Sequence, residues 1–346
     1  HPFVQTPHID ELAKNGIYFD EAFVTTSLCS PSRASIVTGQ YAHKHDVIDN
    51  DTDLYPNTPT YPLELKKAGY HTGFVGKWHM GHGTDERRQN FDYWVSFKGQ
   101  GRYIDPELNV DGERKVIEGH MTDVLTDLAV DYINEQSKSE QPYFLCLSHK
   151  AVHENFTPAE RHHKAYINEK ITYPDSYADT DENYKGKPDW LRKQRKSWHG
   201  AERDYINIDR VEGDDLARMT QIYAECMLGV DESIGKVVST LNELGEFDNT
   251  VIIYMSDNGY LLGEHGLIDK RVMYEESIRV PAFFHWGEKI KQGRNCSEFV
   301  LNIDIAPTIL DIAGVEIPGT MQGESFLPLA LGEDVKWRQD FIYEYF

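Results

Sequence analysis

Residues 29–39 read Cys29-Ser30-Pro31-Ser32-Arg33-Ala34-Ser35-Ile36-Val37-Thr38-Gly39. Cys29, Pro31, Ser32, Arg33, Thr38 and Gly39 form the string C-x-P-S-R-x4-T-G. At roughly one in twenty per position, such a match arises by chance about once in 10⁸ starting points. A cysteine alone at a helix start reads as a small core hydrophobe. The whole string does not, because each further match multiplies against chance. Ser32 to Val37 predicts a helix beginning inside the string, and Ile17 to Val24 a short strand leading into it.

Outward from the string, helix and strand patterns alternate. Thr6-Pro7 predicts a helix start, Ile9, Leu12 and Ala13 its apolar face, and Asn15-Gly16 its end. Tyr61 to Ala68 and Val124 to Ile133 have helical spacing. Met219 to Leu244 is the longest periodic segment. His71 to Val75, Tyr143 to Leu147 and Val251 to Met255 are short apolar runs. The last two predict strands buried on both faces. This pattern predicts an α/β fold with a mostly parallel sheet sandwiched by helices, and ligand groups beyond the carboxyl ends of strands. Lys77 and His79, His149 and His153, and Asp257 and Asn258 all follow such ends. Tyr184 to Arg210 is polar, basic and Trp-bearing, and predicts a surface insertion.

The 346 residues allow one large α/β domain or two smaller ones. A formal charge of −22 argues against a nucleic-acid partner, while a few converging cations could still hold an anionic small substrate. No run of 18 apolar residues exists, so no membrane span is expected. Cys29, Cys146, Cys226 and Cys296 are too few for a disulfide scaffold. The chain opens without Met or a signal-peptide pattern and stops in the aromatic run Phe341–Phe346, which reads as a strand under way. These features predict a fragment cut at both ends.

The Cys29 string resembles the maturation signature of the formylglycine-dependent (type I) sulfatases. The likeness extends through Gly76-Lys77-Trp78-His79, Ser148 to His153, Ser256-Asp257-Asn258-Gly259 and Ile268 to Glu275. Thr25 to Gly39 and Ile268 to Glu275 look most like N-acetylglucosamine-6-sulfatases and bacterial mucin-desulfating relatives. The resemblance implies an alkaline-phosphatase-like fold and removal of sulfate from a sulfated sugar. It implies that a maturation enzyme oxidises Cys29 to formylglycine, whose hydrate attacks sulfur and then expels sulfate as the aldehyde reforms. A plain thiol has no such exit. By the same resemblance Arg33 holds the hydrate, and Lys77 and Lys270 contact sulfate. His79 is the base for elimination, and His153 the acid on the bridging oxygen, with His149 its rival. Asp257 and Asn258 are implied Ca²⁺ ligands, their hard oxygens suiting that ion. Trp198 and His199 would belong to a sugar-binding rim. A solvated loop is the plainer reading of that segment.

The family's first core strand, with two further Asp ligands, would precede His1. The expected organisation is a catalytic domain over 1–335 lacking that strand, and the start of a small C-terminal subdomain over 336–346. Export is implied by family and substrate. Two alternatives stay open: a phosphonate monoester or phosphodiester hydrolase, which can share the string, and a non-catalytic sulfated-glycan-binding fragment.

Overall fold

The computed structural model describes residues 1–81, 83–205, 208, 214–290 and 292–346, with backbone only for residue 288. The end of the Tyr184–Arg210 segment, residues 206–207 and 209–210, lies outside the described residues.

The first helix, α1 (Pro7–Lys14), starts where the Thr-Pro pair places it. Thr6 does not cap it by accepting a backbone bond. Its hydroxyl donates to Asp10 Oδ1 at 3.0 Å. The expected Ile17–Val24 strand is two pieces, β1 (Ile17–Phe19) and β2 (Ala22–Phe23). The signature helix α2 spans Cys29–Thr38, starting three residues earlier than its apolar spacing suggests, and Gly39 ends it in a left-handed conformation.

One sheet contains β3 (His71–Gly76), β4 (Tyr93–Ser96), β5 (Glu107–Val110), β6 (Glu113–Val116) and β7 (Tyr143–Ser148), in the order β6-β5-β4-β3-β7. Its β4-β3-β7 part is parallel, with Gly76 level with Ser148, and its β6-β5-β4 part is antiparallel. The second sheet uses β8 (Val251–Met255), while β9 (Leu261–Leu262) and β10 (Ile268–Asp269) form a separate hairpin. With β11 (Ala282–Trp286) and β12 (Arg294–Cys296) the second sheet runs β12-β1-β11-β8, and β13 (Val300–Leu301) pairs with β2. Helices Met121–Gln136 and Asp215–Glu243 pack against each other beside the first sheet.

Two expectations change. Every residue of β7 and β8 is half-buried rather than buried on both faces. Each is the last strand of its sheet, so its outer side has no strand partner among the described residues. Residues Phe341–Phe346 do not form a strand. They lie along the second sheet's core, with Phe341 against Phe23 at 5.0 Å, Tyr343 Oη 2.7 Å from Ser27 Oγ, and the Glu344 N–H donating to the Thr25 carbonyl at 2.8 Å. A single backbone bond docks this segment without building a ladder.

What places the site is the convergence of strand ends. Gly76 closes β3 with φ +124°, and a Cβ there would lie 1.9 Å from the Ser148 carbonyl oxygen. Only glycine lets β3 turn this close to β7. The turn hands over Lys77, whose N–H donates to the Ser148 carbonyl at 2.7 Å.

Candidate active site

Helix α2 is buried along most of its length, and its polar residues are matched one by one. The Asn302 amide donates to Ser32 Oγ at 2.9 Å, and its oxygen accepts from Thr25 N and Thr25 Oγ1 at 3.0 and 3.1 Å. Ser35 Oγ pairs with His45 Nε2 at 3.1 Å, and Thr38 donates to the Ala34 carbonyl at 2.7 Å. The small hydroxyls of the string therefore let a helix sit inside the protein with Cys29 at its first position.

Arg33 joins the strand ends. Its Nε and Nη2 each lie 2.8 Å from Asp257 Oδ2, and its Nη1 donates to Ser148 Oγ at 2.6 Å and to the Lys77 carbonyl. One guanidinium thus fixes the last residue of β7 and the residues just after β3 and β8 together.

Cys29 is 1% exposed. Burial raises a thiol pKa, but Lys270 and Lys77, with hydrogen bonds to His153 and His79, hold Cys29 well below the ordinary value. Burial and the surrounding cations lower Lys77 to about 8, with Cys29 and Asp257 opposing. His79, desolvated and beside Lys77, falls to about 4. His153 is lowered by burial and by Lys77. Lys270 is raised despite burial, because Cys29, Asp269 and Asp257 favour its charge. Cys29, the Lys77–His79 segment, His153 and Lys270, which are far apart in the chain, therefore meet around the thiol, and Arg33 reaches the Lys77 carbonyl beside them.

His149 points elsewhere. Its Nε2 meets Ser233 Oγ of the long helix at 2.9 Å, and burial lowers its pKa to about 4. His153 is delivered by a tight turn in which its N–H donates to the Lys150 carbonyl at 3.0 Å. Tyr103 clamps that turn: its hydroxyl accepts from His153 N at 3.1 Å and donates to His153 O at 2.9 Å. Gln100 Nε2 lies 3.2 Å from His79 Nε2. Tyr103 and Gln100 carry no sequence signal, since they reach the site from a loop between β4 and β5 with no periodicity of its own.

The insertion is more than a solvated loop. The Ala201 N–H donates to the Gly266 carbonyl at 3.0 Å and the Ile268 N–H to the His199 carbonyl at 2.9 Å, so it is stitched to the β9–β10 hairpin that presents Lys270. His199 Nδ1 stands 2.7 Å from Asp269 Oδ2. Burial would raise Asp269, but His199, Lys270 and Arg271 hold it at about 2. Trp198 is 55% exposed, with the Arg203 guanidinium 4.6 Å from its ring centroid. Arg203 pairs with Glu154, the neighbour of His153. Trp198 and His199 are therefore tied to the β9–β10 hairpin on one side and, through Arg203 and Glu154, to the neighbour of His153 on the other.

For a cation, Asn258 Oδ1 is a buried acceptor without a hydrogen-bond partner among the described residues, and Asp257 lies next to it in sequence with Arg33 on one carboxylate oxygen. The donor type fits a hard cation. Among the described residues no group of three or more His, Cys, Asp or Glu side chains gathers around it. All four cysteines are free.

A sulfatase family model matches residues 1–315. The chain belongs to the sulfatase family. An N-acetylglucosamine-6-O-sulfatase of Bacteroides thetaiotaomicron is 32% identical, the match covering 99% of this chain and 70% of that protein. The human N-acetylglucosamine-6-sulfatase is 33% identical over 96% of this chain and 62% of its own length, so the chain spans under two thirds of that relative. A protein solved in complex with its substrate, D-glucosamine-2-N,6-O-disulfate, superposes with a TM-score of 0.91 at 32% identity, over 99% of this chain and 79% of that one. A phosphonate monoester hydrolase from Silicibacter pomeroyi shares the fold, with a TM-score of 0.81 at 24% identity, covering 98% and 74% of the two chains. The sulfatase has the alkaline-phosphatase-like α/β fold. The expected mostly parallel sheet is mixed: the first sheet is parallel at its β4-β3-β7 end and antiparallel at the other, and the second is antiparallel except for β12-β1, because short connections such as β5–β6 favour antiparallel neighbours. No described helix is long and apolar enough to cross a membrane.

Proposed function

We propose that this sulfatase hydrolyses the sulfate ester of a sulfated amino sugar, with the 6-O-sulfate of N-acetylglucosamine or glucosamine as its substrate class. One observation carries the reading: a buried Cys29 at a helix N-terminus faces Lys77, Lys270, His79 and His153 together. The relatives that are about a third identical over nearly the whole chain carry N-acetylglucosamine-6-sulfatase names, which supports the sugar.

Oxidised to formylglycine by a maturation enzyme, Cys29 supplies a hydrated aldehyde as nucleophile and lets sulfate leave by elimination. The other side chains divide the remaining work. Lys77 and Lys270 neutralise the sulfuryl oxygens from two strand ends in a site that excludes water, where such charges act strongly. His153, oriented by Tyr103, gives a proton to the departing sugar oxygen. His79, neutral above about pH 4, can accept a proton from the nucleophile side. Asp257 and Asn258 would hold Ca²⁺, which would add positive charge on the sulfate side. Trp198 and His199 form the sugar-facing rim. Export to a periplasmic, extracellular or lysosome-like space accords with relatives that include extracellular sulfatases.

The test has two parts. Mass analysis of the Cys29 peptide from a host with a maturation enzyme should show the loss expected for formylglycine. The same protein should turn over N-acetylglucosamine-6-sulfate far faster than a phosphonate monoester. Preference for the phosphonate would overturn the reading, and so would an unmodified Cys29 in active protein.

A further inference from the structure

Lys150 is 4% exposed, and among the described residues no carboxylate lies within ion-pair distance of its ammonium. The ammonium lies over the face of Tyr103, 4.5 Å from the ring centroid. Buried lysines are ordinarily paired, because an uncompensated ammonium away from water is costly. A cation–π contact offsets only about 0.5–2 kcal/mol of that cost. Lys150 begins the turn that delivers His153, and it lies over the same Tyr103 whose hydroxyl clamps that turn. It is also close enough to Lys77 and Cys29 to feel their charges. The roles proposed above use Arg33, Lys77 and Lys270 and leave this cation unassigned. The sulfuryl oxygens are met by Lys77 and Lys270, whereas Lys150 stands on the His153 side, where the sugar must lie if His153 protonates its oxygen.

Resting on that assignment, we propose that Lys150 is a substrate-recognition residue that pairs with a second anionic group of the substrate, close to the ester being cleaved. The ligand class is a sugar carrying a sulfamate or a carboxylate in addition to its 6-O-sulfate. A sulfate monoester brings one negative charge into a pocket holding four buried or nearly buried cations, Arg33, Lys77, Lys150 and Lys270. Of these, Arg33 is committed to Asp257, and Lys270 lies 3.7 Å from Asp269 Oδ1, whereas Lys150 has no such carboxylate among the described residues. The second anion completes Lys150 as the ester completes Lys77.

The test compares kcat/KM of the mature full-length enzyme on glucosamine-2-N,6-O-disulfate and on N-acetylglucosamine-6-sulfate, for wild type, Lys150→Met and Lys150→Arg. Lys150→Met should lower the disulfate-to-monosulfate ratio about 10- to 100-fold, the range for losing a hydrogen bond to a charged group. Lys150→Arg, which keeps the charge, should restore most of it. An unchanged ratio in Lys150→Met, together with an unchanged preference of that variant for uronate-linked over unlinked N-acetylglucosamine-6-sulfate, would overturn the proposal. Calorimetric binding of the two desulfated products, glucosamine-2-N-sulfate and N-acetylglucosamine, to wild type needs neither turnover nor a folded variant. It therefore separates failure of this site from failure of the hydrolase assignment. Equal affinity for both products, and for uronate-linked and unlinked N-acetylglucosamine, would overturn it. A preference only in the uronate pair would place the anion on the neighbouring sugar, and a preference only in the first pair on the same ring.

Discussion

Cys29 and Cys226 are both buried thiols on helices, 1% and 3% exposed, and their surroundings act on them in opposite directions. Around Cys226, burial and Glu225 push the thiol up to about 12. Around Cys29, Lys270 and Lys77 reverse the same burial penalty and leave the thiol well below its ordinary value. Cys226 packs among Phe156, Met219 and Ile222 in an apolar cluster. Cys29 sits where the residues following β3 and β10 end in buried lysines. Burial alone makes an inert cysteine, and a reactive position needs cations that are themselves held out of water.

The sharpest way to break this contrast is to delete each sulfur. Cys29→Ala should abolish sulfate-ester turnover while circular dichroism stays native. Cys226→Ala should leave turnover in place and lower stability by on the order of 1 kcal/mol, the cost of one small buried group. Near-parental turnover by Cys29→Ala would remove the distinction between the two regions.

The same contrast extends to two histidines. His153→Ala should cost 10²–10⁴-fold on sugar sulfates, the usual range for losing a general acid. It should cost much less on aryl sulfates with good leaving groups. His149, bonded to Ser233, should lose only a few-fold as His149→Ala on either substrate. Equal losses on both substrate types for His153→Ala would make it a binding residue.

Next in size is pH. Lys77 is charged below about 8 and neutral above it, so on aryl sulfates, which need no proton from His153, kcat/KM should be level between about 4, above which His79 is neutral, and that value, and fall about tenfold per unit above it. Cys29 helps to keep Lys77 charged, and oxidation removes that thiol, so the limb in mature enzyme should lie at or below about 8. Lys77→Arg, with a guanidinium that stays charged, should remove this limb, and a limb that persists unchanged would assign it to another group.

The smallest effect belongs to the rim. Trp198 is half exposed and stacked on Arg203, so Trp198→Ala should raise KM about two- to fivefold with kcat held, in line with roughly 0.5–1 kcal/mol for an exposed contact. A fall in kcat instead would mean that the rim also positions Lys270 through His199 and Asp269.

Much of this molecule is written locally. The order of the Cys29 string, Gly76 to His79 and Ser256 to Asn258 is a property of the chain, and it points to the family without coordinates. The helix start at Pro7 follows from proline's fixed φ, and the periodicity of the Asp215–Glu243 helix from apolar spacing, both of which act within a few residues. The tertiary structure alone decided the rest, because those facts depend on which distant groups meet. Tyr143–Leu147 reads as a fully buried strand, yet at the end of its sheet it has no second strand partner among the described residues and is half-buried. His149 and His153 are equivalent in composition, and the Tyr103 clamp and the Ser233 bond send them to different places. Lys150 reads as one solvated lysine among many until folding buries it over Tyr103 without an anion. A pKa, a burial penalty and a missing partner are sums over neighbours in space, and the chain specifies those neighbours only by folding.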